Sequence, residues 1–561
     1  MRLYWKDAVK SLLPVAALAV YWFWGAGAIV KNSVTYDETV HITAGHVAFK
    51  ERNFEFFGWD HPPLTEMVAA APISLDLAGG SALLPVAHPS YAKGIRYQFS
   101  DLFIFQNRLD AGRMVTAARW AVFAVFSVLA VFCVWKVAGM LHPQAGPWAL
   151  LFFISEPNML AHATLATTDF GSAALCLAGF LTVLSYAKRP TYIAAVGLGL
   201  AMIALVAAKH TNVIALPVYA ALFYLLRKDP GLKELRPGHL GAGVAAGTAL
   251  LCVVYLGTDP SILFKGIWST FNRANAGRSS YLMGSYSDSG WLYYLPVSIA
   301  IKTPLHLLLF MFLGCCLLAL DAWRSRQRVW IFALLALPFF HITVACFSKV
   351  QIGLRYALPA YPCFVLIAGY AAAKISERRG TLIAVILGVC IAGSVGVWKC
   401  SPRFLTYFNE AVGGPRNGHH YLVDSNLDWG QGLGELAGYL KGKGVHSVYL
   451  SYFGVADPHY HGLAYIPIGM VNSGCLRPGD PQTSPLDEKR VYFAVSATNR
   501  KAVYFRDRDI FKWLDDIEPE TVIGDSIFLY NLTGKTEALR RLSGLVEREG
   551  FAGETRRLAG L

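Results

Sequence analysis

Apolar residues in the first 400 positions are bunched into runs separated by short polar segments, and the bunching stops there. A helix rises 1.5 Å per residue, so about 20 apolar residues cover a ~30 Å hydrocarbon core. On that measure the pattern predicts about eleven membrane spans. They lie near 11–30, 116–138, 146–158, 169–187, 191–208, 210–226, 240–256, 293–320, 329–346, 356–373 and 381–398. The third and fifth are short. Beyond residue 400 the polar and apolar positions mix as in a water-soluble domain. There Gly432–Lys441 reads as a helix. Ser447–Phe453, Val491–Ser496 and Ser526–Leu532 read as strands, with a helical stretch near 508–516. The expected fold is a polytopic α-helical membrane module over 1–399, followed by a C-terminal α/β aqueous domain over 400–561.

Charge orients the bundle. Of the 561 residues, 55% are hydrophobic and only 16% charged, well below the quarter or so of soluble chains. Arg2, Lys6 and Lys10 precede the first span. Further basic groups follow spans four (Lys188, Arg189), six (Arg227, Lys228, Lys233, Arg236), eight (Arg324, Arg326, Arg328) and ten (Lys374, Arg378, Arg379). An eleven-span count puts all of these on one side, which the positive-inside rule makes cytoplasmic. The N-terminus is then cytoplasmic, and the outer side receives loops 31–115 and 257–292 and the C-terminal domain. The net charge of +13 is thereby spent on topology, which argues against nucleic acid as a partner. Ala26-Gly27-Ala28 resembles a cleavage site, but the preceding apolar run is long for a signal peptide and its loss would leave the next segment untethered. Of ten cysteines, Cys400 and Cys475 fall in the aqueous part, at a spacing too unspecific to assign a disulfide.

Candidate chemistry gathers on the outer side. Asp37 and Glu38 lie just beyond span one, followed by His41 and His46. A rigid Trp59-Asp60-His61-Pro62-Pro63-Leu64 segment comes next, its prolines holding the residue before them extended. Cations stand at several span mouths: Arg113, Arg119, Lys209, Lys302, Lys349 and Arg355, with His210. Each alone reads as a snorkelling residue. Together with the acids they supply what sugar transfer from a phosphate carrier needs. A carboxylate takes the acceptor's proton, and cations stabilise the departing phosphate. His419-His420 and Asp457-Pro-His459-Tyr-His461 offer side chains that ligate metals but lack a metal-site spacing, so no metal and no cofactor is expected.

These residues, in this order, resemble the GT-C membrane glycosyltransferases of the protein O-mannosyltransferase and aminoarabinose-transferase superfamily. The match runs through Asp37-Glu38, His61-Pro62-Pro63-Leu64, Arg113, Pro157-Asn158, His162 and Thr167-Thr168-Asp169. It continues with Lys209, the aromatic run Trp291–Pro296, Lys302 and Gly353-Leu354-Arg355. The resemblance covers roughly residues 30–400 and implies a bacterial plasma-membrane enzyme using a polyprenyl-phosphate sugar, hexosyl or pentosyl, with inversion. It implies Asp37 as base, with Glu38 supporting it or contacting sugar, and a role for His61 in shaping the acceptor or donor pocket. Donor-binding roles fall to Asp169 and to some of Arg113, Lys209, Lys302 and Arg355. The loop 257–292 is too short for the β-trefoil domain of eukaryotic O-mannosyltransferases. The extra domain is C-terminal, as in aminoarabinose transferases, although those have more spans. Its segment Asp424, Asn426, Asp428, Trp429 and Gln431 suits sugar contacts, and equally suits a polar turn that docks the domain onto the bundle. The acceptor is open between an exported protein, a lipid and an envelope glycan, with the lean toward glycan or lipid. The rival functions are a transporter or a non-catalytic scaffold. No repeat and no mid-span acid favours the first, and the intact acidic pair counts against the second.

Overall fold

The computed structural model describes residues 2–58, 60–227, 236–324, 328–377, 381–469 and 490–560. Among them, seven helices are long and apolar enough to cross a membrane: Leu12–Lys31, Ala111–Leu141, Thr168–Lys188, Pro237–Val254, Leu305–Arg324, Leu354–Ser376 and Thr381–Lys399. Four shorter apolar helices, Ala145–Ile154, Tyr192–Ala208, His210–Leu226 and Leu334–Cys346, complete the set. The chain is a multi-pass helical membrane protein with a C-terminal sheet region, as the hydrophobic pattern predicts. Thr168–Lys188 and Leu354–Ser376 are enveloped by neighbours, whereas Pro237–Val254 and Thr381–Lys399 stay mostly uncovered. Uncovered apolar faces such as those of Phe23, Val244 and Phe312 are stable only against lipid. Trp59 and Cys475 lie outside the described residues, as do several of the topology-setting cations, Arg326 and Arg378 among them. Cys400 is buried, with its thiol donating to the Gly396 carbonyl.

Loops 31–115 and 257–292 are folded rather than loose. In the first, helices Glu38–Glu51, Pro63–Ser74 and Arg96–Phe105 pack over the bundle. Pro63 supplies the first helical residue and Pro62 the extended one before it, the placement that proline's fixed φ favours. The first two helices approach so closely that Gly45 sits against the Glu66 carbonyl with no room for a Cβ. In the second, helix Ile262–Ala276 leads into a hairpin, β1 (Ser280–Leu282) and β2 (Ser285–Ser287).

Beyond residue 400 a five-stranded sheet has the order β4-β3-β5-β7-β6. It comprises β3 (Ser447–Ser451), β4 (Ala464–Pro467), β5 (Tyr492–Ser496), β6 (Thr521–Ile523) and β7 (Ile527–Asn531). β3 is parallel to β4 and β5, and β7 is antiparallel to β5 and β6. β3 and β5 are buried along their whole length, as central strands covered on both faces must be. The expected helix opening this region is Leu433–Gly442. The helix expected near 508–516 is instead a run of turns with one 3-10 turn, Lys512–Leu514. Its acids Asp507, Asp509, Asp515 and Asp516 favour turns over a helix interior. Helix Thr536–Arg548, which buries Leu539, Leu542 and Val546 and packs against helix Ala552–Ala559, was not anticipated.

The sheet region is locked to the bundle by buried polar contacts. Lys302 donates to the carbonyls of Leu405, Tyr407 and Asn426. The Asn426 amide donates to Tyr294 Oη, and its carbonyl oxygen accepts from Leu354 N. Trp429 and Gln431 offer their backbone carbonyls to Tyr36 N and Ser33 N.

Candidate active site

The two adjacent acids that follow the first span do different things. Glu38 is fully buried and held at 2.7 and 2.6 Å by the Arg119 guanidinium. It also accepts from Thr35 N, Thr35 Oγ1 and Ala166 N. Burial raises a carboxyl, but here Arg119 outweighs it and holds Glu38 below its ordinary value. Glu38 therefore has no lone pair left for a substrate and does not line the cavity described next. Sequence proximity made the pair look like one unit. At the start of a helix, successive side chains point about 100° apart, and that rotation separates them.

Asp37 stands just before the same helix and points the other way, into a cavity of about 1070 Å³ between loops 31–115 and 257–292 and the helix ends below them. Its Oδ2 accepts from Arg355 at 2.8 Å, and its side chain keeps 19% exposure. Behind Arg355 stands Asp169, bonded to Lys209 Nζ at 2.5 Å and lying 3.7 Å from Arg355. Asp37, Arg355, Asp169 and Lys209, in that order, thus form an alternating chain of charges. Trp429, from the C-terminal region, lies 4.5 Å under the Arg355 guanidinium, a cation–π contact that fixes the plane of the fork.

Further cations enter from these two loops. Arg278, just before the hairpin, lines the cavity and rests on the Tyr504 ring at 4.7 Å. Tyr504 stacks on Phe453, which stacks on Tyr36, at centroid separations of 5.6 and 5.2 Å. One column of rings therefore connects Arg278 to the residue next to Asp37. At the cavity rim Asp60 is gripped by Arg96 and Arg273. Five cations of the lining, Arg96, Lys209, Arg273, Arg278 and Arg355, face two carboxylates, Asp37 and Asp60. Part of the remaining wall is apolar and includes Ile214, Phe271, Val344 and Phe347.

Four imidazoles, of His41, His61, His210 and His341, add to the polar wall. His61 lines the cavity with its ring 4.8 Å from that of His41. Burial, aided by His41, Lys209 and His210 nearby, drops His61 well below its ordinary value and keeps it neutral. His41 lines the cavity too, and its Nδ1 meets Glu66 Oε1 at 3.0 Å.

Of the residues singled out from sequence, the structure brings together Asp37, Asp60, His61, Lys209 and Arg355 as lining, with Asp169 directly behind. It places Arg113 on the exposed surface, where its backbone N–H donates to Asp110 Oδ1. Lys302 is spent on three carbonyls, as described above. Asp424, Asn426, Asp428, Trp429 and Gln431 are all buried at the junction, away from the cavity lining. Asp424 accepts from Tyr504 Oη and Asp428 from Thr498 N within the C-terminal region, while Asn426 reaches Tyr294 and Leu354 of the bundle. Sequence reasoning missed Arg96, Arg273 and Arg278. One signal was present for Arg96 and Arg273: both stand in loops expected on the side that the positive-inside rule leaves poor in cations, so each called for an anionic partner. Among the described residues no three His, Cys, Asp or Glu side chains converge as metal ligands. The lining arginines and lysine are instead suited to an anionic oxygen ligand.

No family model and no curated protein matches the chain by sequence. By structure it is similar to ArnT from Cupriavidus metallidurans bound to undecaprenyl phosphate, at 12% identity and a TM-score of 0.46, over 93% of this chain and 98% of that one. The apo form of the same protein is similar at 12% identity and a TM-score of 0.45, with the same coverage. The archaeal oligosaccharyltransferase AglB from Archaeoglobus fulgidus, in complex with an inhibitory peptide and a dolichol-phosphate, is similar at 10% identity and a TM-score of 0.43, over 78% of this chain and 58% of that one.

Proposed function

We propose that this chain transfers a hexosyl or pentosyl group from a polyprenyl-phosphate carrier to a hydroxyl acceptor on the outer side of a bacterial plasma membrane. The N-terminus is cytoplasmic, the C-terminal region lies outside, and the acceptor is an envelope glycan or lipid. The observation that carries the reading is the cavity's charge: one carboxylate, Asp37, stands among lining cations that outnumber the acids five to two. Such a wall suits a phosphate, and the apolar wall beside it suits the carrier's isoprenoid tail.

In this reading the acceptor oxygen attacks the anomeric carbon while Asp37 takes its proton. The carbon–oxygen bond to phosphate breaks with its electron pair going to the phosphate. Arg355, Lys209 and Arg278 stabilise that developing charge. A single displacement of this kind inverts the anomeric centre. His61 shapes the pocket wall as a neutral group.

The test follows labelled polyprenyl-phosphate sugar in membranes bearing the wild-type chain or Asp37→Asn. Wild type consumes the labelled lipid and transfers the label to an acceptor. Asp37→Asn slows consumption about 10²- to 10⁴-fold while remaining folded and inserted. A lipid pool left untouched by wild type across several sugars would bring the transferase reading down.

A further inference from the structure

A base that takes a proton in each turnover must also lose it, and Asp37 lies in a cavity with its Oδ2 already engaged by Arg355. The outlet stands one helical turn away. Asp37 stands just before helix Glu38–Glu51, and His41 N donates to the Asp37 carbonyl, so the two side chains share a helix face. Both line the same cavity. His41 Nδ1 is committed to Glu66 at 3.0 Å, with side-chain exposures of 3% and 5%. An ionised Glu66 makes that nitrogen the N–H donor, which leaves Nε2 free to accept a proton. Glu66 itself does not line the cavity. Its position follows from the close approach of its helix at Gly45, and a carboxyl so buried has to be compensated. His41 is the compensation.

We infer that His41, oriented by Glu66, is a second proton-handling site of the cavity, receiving from Asp37 the proton that Asp37 removes from the acceptor. This inference rests on the transferase reading. The proton passes from the Asp37 carboxyl to His41 Nε2, directly or through one water. The imidazolium so formed is stabilised by Glu66, and its proton then leaves to water in the cavity. Asp37 is again a carboxylate, and no other reactant is consumed. Glu66 is a positioning residue and His41 the relay.

The charges acting on His41 are Glu66 from helix Pro63–Ser74, Asp37 at the head of its own helix and Asp169 from the core span; His61 packs on its ring, and Lys209, His210 and Arg355 line the same cavity. Burial pulls His41 down, but the Glu66 hydrogen bond and charge, with Asp37 and Asp169, raise it above its ordinary value. Burial likewise pushes Glu66 up to about 7, so the pair titrates as a unit. Turnover therefore falls on the acid side, once the pair already holds its proton. Replacing Glu66 with Gln removes the raising charge and moves that limb to lower pH.

The experiment measures consumption of the labelled lipid-linked sugar from pH 5 to 9 by wild type, His41→Gln, Glu66→Gln and Asp37→Asn, with and without added imidazole. His41→Gln should lower the rate about 10²-fold near neutrality, lose the acid limb, and recover with imidazole. Glu66→Gln should keep most activity and shift the limb about one pH unit down. If His41→Gln keeps the wild-type rate and profile while Asp37→Asn is dead, the inference is overturned and the transferase reading stands. A uniform loss at every pH without imidazole rescue gives the pair a structural role and overturns it equally. If wild type consumes no donor, both fall.

Discussion

Removing one charge from each of the adjacent acids Asp37 and Glu38 should produce opposite phenotypes, because one faces a cavity and the other a sealed socket. Each N–H of the Arg119 guanidinium finds an acceptor: two on Glu38 and the carbonyls of Ile29, Asn32 and Ser33. Glu38 in turn accepts from Arg119, Thr35 and Ala166. The socket therefore ties together the end of the first span, the second span and the loop before Asp169. Glu38→Gln leaves the Arg119 charge buried at 1% exposure with no counter-ion. Breaking a buried pair from one side costs about 3 to 5 kcal/mol, a large share of an ordinary folding free energy. The same change at Asp37, which retains 19% exposure, should cost about 1 kcal/mol or less. Thermal unfolding in detergent, followed by fluorescence-detected size exclusion, should show Glu38→Gln several degrees below wild type and Asp37→Asn within a degree or two. Since Glu38 is held below its ordinary value of 4.5, its contribution is complete above that pH and disappears only as pH falls through the lowered value. The deficit of Glu38→Gln should thus be constant from pH 6 to 8. A Glu38→Gln protein as stable as wild type yet as inactive as Asp37→Asn would refute the division of labour.

Further outcomes follow from the same geometry. Lys302→Met strips the donor from three buried carbonyls, at about 1 to 3 kcal/mol for an unsatisfied group, so limited proteolysis should release the C-terminal region faster. Arg113→Ala, at an exposed position outside the cavity, should leave donor consumption within about twofold of wild type. Asp428 is buried and pushed up to about 7, so its neutral form suits the fold. The stability it lends is complete below its ordinary 3.8 and is lost as pH rises through about 7. Asp428→Asn should therefore raise the melting temperature at pH 8 and leave it unchanged at pH 4.

The hydrophobic pattern carried most of the architecture, because a bilayer demands runs of a set length and apolarity. It also exposed Asp37, His61, Lys209 and Arg355, since charges at span mouths are costly unless they serve something. Three things were not legible. Glu38 and Asp37 are neighbours in sequence, and only the helix start tells which faces inward. Arg278 depends on a partner, Tyr504, more than two hundred positions away, and no local pattern announces such a pairing. The segment from Asp424 to Gln431 has the polar and aromatic residues of a sugar site. Its use as a plug follows from which backbone groups of loop 31–115 lack other partners, and that is settled only by three-dimensional packing.

The column of rings from Tyr36 through Phe453 and Tyr504 to Arg278 has a consequence for protein engineering. Two of its four members belong to the C-terminal region, so the backing of the cavity's lining residues is shared property rather than the possession of the membrane bundle. A chimera that exchanges everything after residue 400 for the matching part of another protein would place foreign side chains under Arg278 and Arg355. Such grafts should work only when Phe453, Tyr504 and Trp429 travel together with their sockets, and transplanting acceptor choice as a cassette should fail otherwise.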